Sequence, residues 1–184
     1  MRDGSTVVLT EALALDLTVD QSLVPKPLAI PSAYNIVLNS GFEQDADGDG
    51  AADHWSRDLG VLDRTVVHDG QASLRLEATG KPDYTYQKFL FAPMTEYRLT
   101  AWVKTDGVKG IGARVRFVPL ESKGQLTRGT SYATGTGDWK RISDVFRTAA
   151  DAKEARVDIE FTASEGRAWI DDLELVPTAA VPTK

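Results

Sequence analysis

The 184-residue chain has no cysteine and only two histidines, His54 and His68. Disulfides, thiolate metal sites and cysteine nucleophiles are thereby excluded, and a His-rich zinc site lacks ligands. No long uncharged apolar run is present, which excludes a helical membrane span. Basic residues are the minority, with Lys plus Arg at 21 against Asp plus Glu at 27, and they form no cluster. A net charge of −6 argues against nucleic acid or an anionic membrane surface as partner. The start of the chain lacks the basic segment and unbroken apolar stretch of a signal peptide. What is present is a 42% hydrophobic composition, too apolar for wholesale disorder and enough for one core.

The ends suggest a piece of a longer protein. Val24–Pro31 carries three prolines and reads as an extended connector, and the tail from Val176 has the same Pro/Thr/Ala character. Residues 1–34 are expected to be an N-terminal extension or the end of an upstream domain, with short apolar stretches at Thr6–Thr10 and Ala12–Val19. Residues 35–176 then form one module, and 177–184 a linker.

The module reads as strands. Ala155, Val157, Ile159 and Phe161 recur at period two, as do Ala113, Val115 and Phe117, then Leu99, Ala101 and Val103. Further strands are expected at Thr65–Val67, Ser73–Glu77, Thr85–Leu90, Ile142–Phe146 and Ala168–Val176, with at most two turns of helix at Thr148–Glu154. Turn chemistry falls at Asp69-Gly70, Thr79-Gly80, Asp106-Gly107, Gly135–Asp138 and Ser164–Gly166. The fold class is all-β, an antiparallel β-sandwich of jelly-roll type.

Alternation also sorts the polar side chains. Opposite the apolar phase stand Arg98, Thr100 and Trp102, then Arg114 and Arg116, then Arg156, Asp158 and Glu160. Cross-strand ion pairs account for part of this set. A sheet face with arginines, carboxylates and a large indole also suits a sugar, whose C–H face stacks on the ring while its hydroxyls take polar partners. Trp102 is the candidate platform, with Arg114, Arg116, Asp158, Glu160 and Gln87 as hydroxyl partners and Tyr84 and Tyr86 along the groove. The excess of arginine there leans the expectation toward an acidic polysaccharide. Phe42, Trp55, Tyr97, Trp139 and Trp169 read as core.

Two acidic signals stand out. Asp45, Asp47, Asp49 and Asp53 alternate around Gly50, the spacing of a calcium loop, although a solvated Asp/Gly hairpin has the same composition. Position twelve of a complete EF-hand would be Ser56, which offers no carboxylate. The second signal is a pair of motifs at opposite ends of the module, Asn39-Ser40-Gly41-Phe42-Glu43 and Ala168-Trp169-Ile170-Asp171-Asp172-Leu173-Glu174-Leu175. Between them, in order, lie Asp53-His54-Trp55, His68–Leu76, Tyr97–Lys104 and Gly137-Asp138-Trp139. This ordered set resembles the β-jelly-roll carbohydrate-binding modules of the family 4, 9 and 22 group, over Asn35 to Leu175.

The resemblance implies a non-catalytic module, appended to a secreted polysaccharide-degrading enzyme or surface protein. It implies a polysaccharide or oligosaccharide partner, an extracellular or cell-surface location and a monomer. It also implies structural Ca2+ where the first and last strands meet, held by Glu43, by Asp171 or its neighbour Asp172, and by chain oxygens near Gln71. The alternatives are a structural or adhesion sandwich without a sugar site, and a small jelly-roll glycosidase or polysaccharide lyase. For the last, Asp158 and Glu160 sit at a workable spacing, but neighbouring arginines are expected to keep both ionised.

Overall fold

The computed structural model describes residues 34–56, 59–124 and 126–178. The expected stretches at Thr6–Thr10 and Ala12–Val19, the connector at Val24–Pro31 and the tail past residue 178 lie outside the described residues. Among the described residues seven strands follow in chain order: β1 Val61–Asp63, β2 Ser73–Glu77, β3 Pro82–Leu90, β4 Glu96–Pro119, β5 Arg128–Gly129, β6 Ala133–Arg147 and β7 Glu154–Thr178. Every pairing is antiparallel.

The architecture turns on β4 and β7, which pair from Glu96↔Thr178 to Pro119↔Ala155. Strands this long do not stay flat. Their register slips between Asp106 and Gly112, and the β4–β6 register slips between Val103 and Ala113. Gly107, Gly110, Gly112, Gly135 and Gly166, clustered at this crease, all have positive φ. Two of them are also sites of close approach. A Cβ on Gly166 would run into the Gly107 carbonyl, and one on Gly112 into the Ala133 carbonyl. The glycines therefore let both strands bulge and bend while their ladder continues.

Bending stacks the two halves of the sheet. The first layer contains β1, β2, the C-terminal half of β7, the N-terminal half of β4 and the C-terminal half of β6. The second contains β3, the N-terminal half of β7, the C-terminal half of β4 and β5. Phe117 of the second layer lies 4.6 Å from Phe146 of the first, and 4.8 Å from Phe91, which meets Tyr97 at 5.2 Å. Leu99, Ala101 and Val103 face the same core as Val115, Val157, Ile159 and Phe161. This is the expected β-sandwich.

The structure changes several local expectations. Asp106-Gly107, Gly135–Asp138 and Ser164–Gly166 are not turns between strands; they lie inside β4, β6 and β7, at the crease. The expected strand at Thr65–Val67 is replaced by Val61–Asp63, because Asp63 Oδ1 accepts hydrogen bonds from Thr65 N at 2.8 Å and Val66 N at 3.3 Å and curls the chain away. Among the described residues no helix forms at 148–154. Thr148 is instead tied to the β3–β4 connection, its Oγ1 donating to Ala92 O and accepting from Thr95 N.

Candidate functional site

On the outward side of the second layer, three strands in register build a ladder of charge. Tyr84 stands opposite Glu160, and Tyr86 opposite Asp158, between β3 and β7. Across the other edge of β7, Arg114 faces Glu160 and Arg116 faces Asp158. Arg114 Nε donates to Glu160 Oε2 at 2.7 Å. Arg116 Nη1 reaches the same carboxylate at 3.3 Å, while its Nε and Nη2 both reach Asp158 Oδ2 at 3.0 Å. Arg156 Nε completes the row 2.8 Å from Asp158 Oδ1, an ion pair whose N–H is not aimed along a hydrogen bond.

The rings at each end are fixed by the same guanidiniums. Arg156 lies over Tyr84 at 4.5 Å and Tyr86 at 5.1 Å, and Arg114 lies over Tyr132 at 4.3 Å. Such cation–π contacts contribute about 0.5–1 kcal/mol each at half-exposed sites. The arrangement is a preorganised plane of alternating donors and acceptors between aromatic edges. Asp158 is fully buried beneath it, and burial pushes its carboxyl up from the ordinary range against the pull of Arg156 and Arg116. Desolvation thus acts on this carboxyl against the two arginines expected to keep it ionised.

A second group lies where the module's ends meet. Gly41 sits among three carboxylates; a Cβ there would lie 3.9 Å from Asp172 Oδ1, 3.9 Å from Glu43 Cγ and 4.0 Å from Asp171 Oδ1. Glu43 Oε1 accepts from Gln71 N at 2.9 Å and Ala72 N at 3.2 Å. Asp171 is fully buried, and burial together with Asp172 pushes its carboxyl up to about 6, although His68 N and Asp172 N donate to it. Asp171 and Asp172 direct carboxylate oxygens at Gly41, whereas Glu43 presents Cγ and turns its Oε1 to the Gln71 and Ala72 N–H groups. Among the described residues these three carboxylates therefore do not bring one oxygen each within 4.8 Å of one another; a hard cation there would relieve the repulsion between them. Gln71 meets Glu43 through its N–H, not through an oxygen.

In the acidic loop, carboxylate oxygens of Asp45, Asp47 and Asp49 lie within 4.8 Å of one another. Asp53 is not in that group; its Oδ2 accepts from Ala46 N at 3.0 Å and closes the loop.

These geometries can be set beside known proteins. The model of a carbohydrate binding domain family, CBM_4_9, matches residues 34–165. The chain belongs to this carbohydrate-binding family. Solved structures of similar fold include a family 16 carbohydrate-binding module, at 23% identity and TM-score 0.59, covering 77% of this chain and 99% of that one. TmCBM61, solved with β-1,4-galactotriose, matches at 18% identity and TM-score 0.54, covering 79% and 99%. The CBM22-1 xylan-binding domain of Paenibacillus barcinonensis Xyn10C matches at 12% identity and TM-score 0.56, covering 82% and 98%. A comparison with curated protein sequences finds no match.

Of the residues singled out in this carbohydrate-binding chain, Arg114, Arg116, Asp158, Glu160, Tyr84 and Tyr86 come together on one face. Gln87 does not: it points inward, where Nε2 donates to Leu38 O at 2.7 Å and Oε1 accepts from Leu38 N. Trp102 does not either. It lies on the outward side of the first layer, stacked on His68 at 4.0 Å, and so faces away from the ladder. Arg98 and Thr100 share its strand half. Trp139 is half-buried with its edge on His68, outside the core to which Phe42, Trp55 and Tyr97 belong. His68 was given no role from sequence, because a loop histidine has no period to mark it.

Proposed function

We propose that the Tyr84–Arg114 face binds an extended, neutral glycan chain, and that the chain acts as a non-catalytic module targeting an appended enzyme or surface protein to polysaccharide outside the cell. The observation that carries this reading is the open ladder of paired arginines and carboxylates between fixed tyrosines. Arg114 and Glu160 offer a sugar hydroxyl a donor and an acceptor side by side, the buried Asp158 fixes Arg116 and Arg156 from beneath, and the rings offer C–H stacking. The lean toward an acidic ligand loses its basis, since Arg114, Arg116 and Arg156 are each already engaged with Asp158 or Glu160. A uronate would have to compete with carboxylates that are already in place.

The proposal includes a calcium ion held by Glu43, Asp171 and Asp172. Such an ion supplies charge neutralisation and a cross-link between the first and last segments of the module. Affinity electrophoresis in gels containing neutral or uronic polysaccharides tests the sugar reading. The wild type should be retarded by at least one neutral polymer, and Tyr86→Ala should lose most of that retardation, roughly 1–3 kcal/mol of binding. Retardation by uronic polymers alone, or a Tyr86→Ala variant retarded like wild type, would overturn it.

A further inference from the structure

The outward side of the first layer holds a cavity of about 400 Å³ that the ladder does not use. Its walls include Thr100, Trp102, Arg141, Glu174, Asp69 and Asp172. Strand register explains the gathering: Trp102 stands opposite Arg141 on β6, and Thr100 opposite Glu174 on β7. The indole is held rigidly without belonging to the core. His68 stacks on it at 4.0 Å with 19° between the planes, and Trp139 meets His68 edge-on at 5.5 Å. His68 is itself anchored, its Nδ1 lying 2.6 Å from Asp172 Oδ2 and its backbone N donating to Asp171 Oδ2 at 3.0 Å. By contrast, the contacts of Arg141 Nη2 with its wall neighbours are long, 3.4 Å to Thr100 Oγ1 and 3.3 Å to Glu174 Oε2. Arg141 and Glu174 are 51% and 45% exposed, so both can turn to an incoming ligand.

The chemistry of the wall selects the ligand class. Carboxylates only accept hydrogen bonds, and with Asp172 set aside as the partner of His68 and of the proposed cation, Asp69 and Glu174 still outnumber the one guanidinium of Arg141. A uronate, sulfate or phosphate would meet like charge. A molecule rich in hydroxyl donors with a weakly apolar face would meet acceptors and an indole. The volume is at the small end for ligand sites, which suits one or two rings and not a long chain.

We propose that this cavity is a second carbohydrate site, taking an uncharged glycan end of one or two sugar units, with Trp102 as the platform and Asp69, Glu174 and Arg141 as hydroxyl partners. It does not rest on the ladder reading, because the two sites face outward from opposite layers.

The test is a titration of the 15N-labelled full chain, in calcium, with cellobiose and with cellobiouronic acid, following the Trp102 and Trp139 indole N–H signals. Cellobiose should give saturable shifts of both signals in the wild type and in Tyr86→Ala, whose ladder face is disabled. Glu174→Gln and Asp69→Asn, which keep side-chain shape, should each weaken those shifts by about tenfold in Kd, the loss of one charge-assisted hydrogen bond. Cellobiouronic acid should bind more weakly than cellobiose. Indole shifts that fail to saturate, that vanish in Tyr86→Ala, or that ignore both Glu174→Gln and Asp69→Asn would overturn the proposal, as would equal binding of the uronic disaccharide. Polysaccharide retardation of Tyr86→Ala equal to that of the wild type, with the indole shifts intact, would count against the first site alone.

Discussion

Arg116→Ala probes whether the ladder is a set of surface ion pairs or a desolvated network. Arg116 places both Nε and Nη2 at 3.0 Å from Asp158 Oδ2, and the Asp158 side chain is 0% exposed. Removing one partner from a buried pair costs about 3–5 kcal/mol when the remaining charge is left alone. Arg156 stays 2.8 Å away but poorly aligned, so about 2–3 kcal/mol is expected near pH 7. Lys109→Ala is the control: its pair with Glu165 is 68% and 61% exposed, and its loss should cost well under about 1 kcal/mol.

The pH dependence separates charge from packing. Burial already raises the Asp158 carboxyl above its ordinary value of 3.8, and losing Arg116 raises it further. For an acid whose folded-state pKa is raised, the ionised form opposes folding. The penalty is absent below the unfolded value, where both states hold the proton, and grows as pH rises toward the folded value. The destabilisation by Arg116→Ala should therefore be larger at about pH 7 than at about pH 3.5, where only lost packing remains. Urea unfolding of wild type, Arg116→Ala and Lys109→Ala at both pH values measures it. Equal destabilisation of Arg116→Ala at the two pH values would refute the reasoning, and adding Asp158→Asn should abolish the pH dependence.

Three further outcomes are expected. Chelation should lower the thermal midpoint by several degrees, an effect that Glu43→Ala or Asp171→Ala removes and Asp47→Ala leaves in place; an unchanged midpoint after exhaustive chelation would end the calcium reading. Hydrogen bonds from Thr65, Trp169 and Val66 hold the Asp63 carboxyl well below its ordinary value of 3.8 despite burial, so its contribution is present above that value and lost as pH falls. Asp63→Asn should accordingly flatten the acid limb of the stability curve followed by circular dichroism. Gly166→Ala should destabilise by more than about 1 kcal/mol in urea, since it adds a Cβ at φ 88° against the Gly107 carbonyl.

How much of this was legible in the sequence depends on what period-two alternation can report. It reports which side chains face a core, and Ala113, Val115, Phe117, Val157, Ile159 and Phe161 are buried as their phase requires. It does not report which layer a strand segment occupies. Leu99, Ala101 and Val103 share the odd-numbered phase of Val115 and Phe117, yet the two sets face one another across the core. Their outward neighbours therefore point in opposite directions. Read by phase alone, Trp102 and Arg114 share a face; on a creased strand they lie on opposite sides of the sandwich. The ladder itself escaped this error because Arg114 and Arg116, like Asp158 and Glu160, each lie within a short segment on one side of the crease. Gln87 was misplaced for a different reason: it occupies an inward position, and its amide is satisfied by both backbone groups of Leu38, a partner 49 residues away in sequence. The crease did leave a mark. Gly107, Gly110 and Gly112 stand between Trp102 and Arg114, and a strand able to hold its plane has no use for three glycines in six residues. Read as a bend within a strand, that run separates the indole from the arginines and gives the molecule two outward faces with different chemistry.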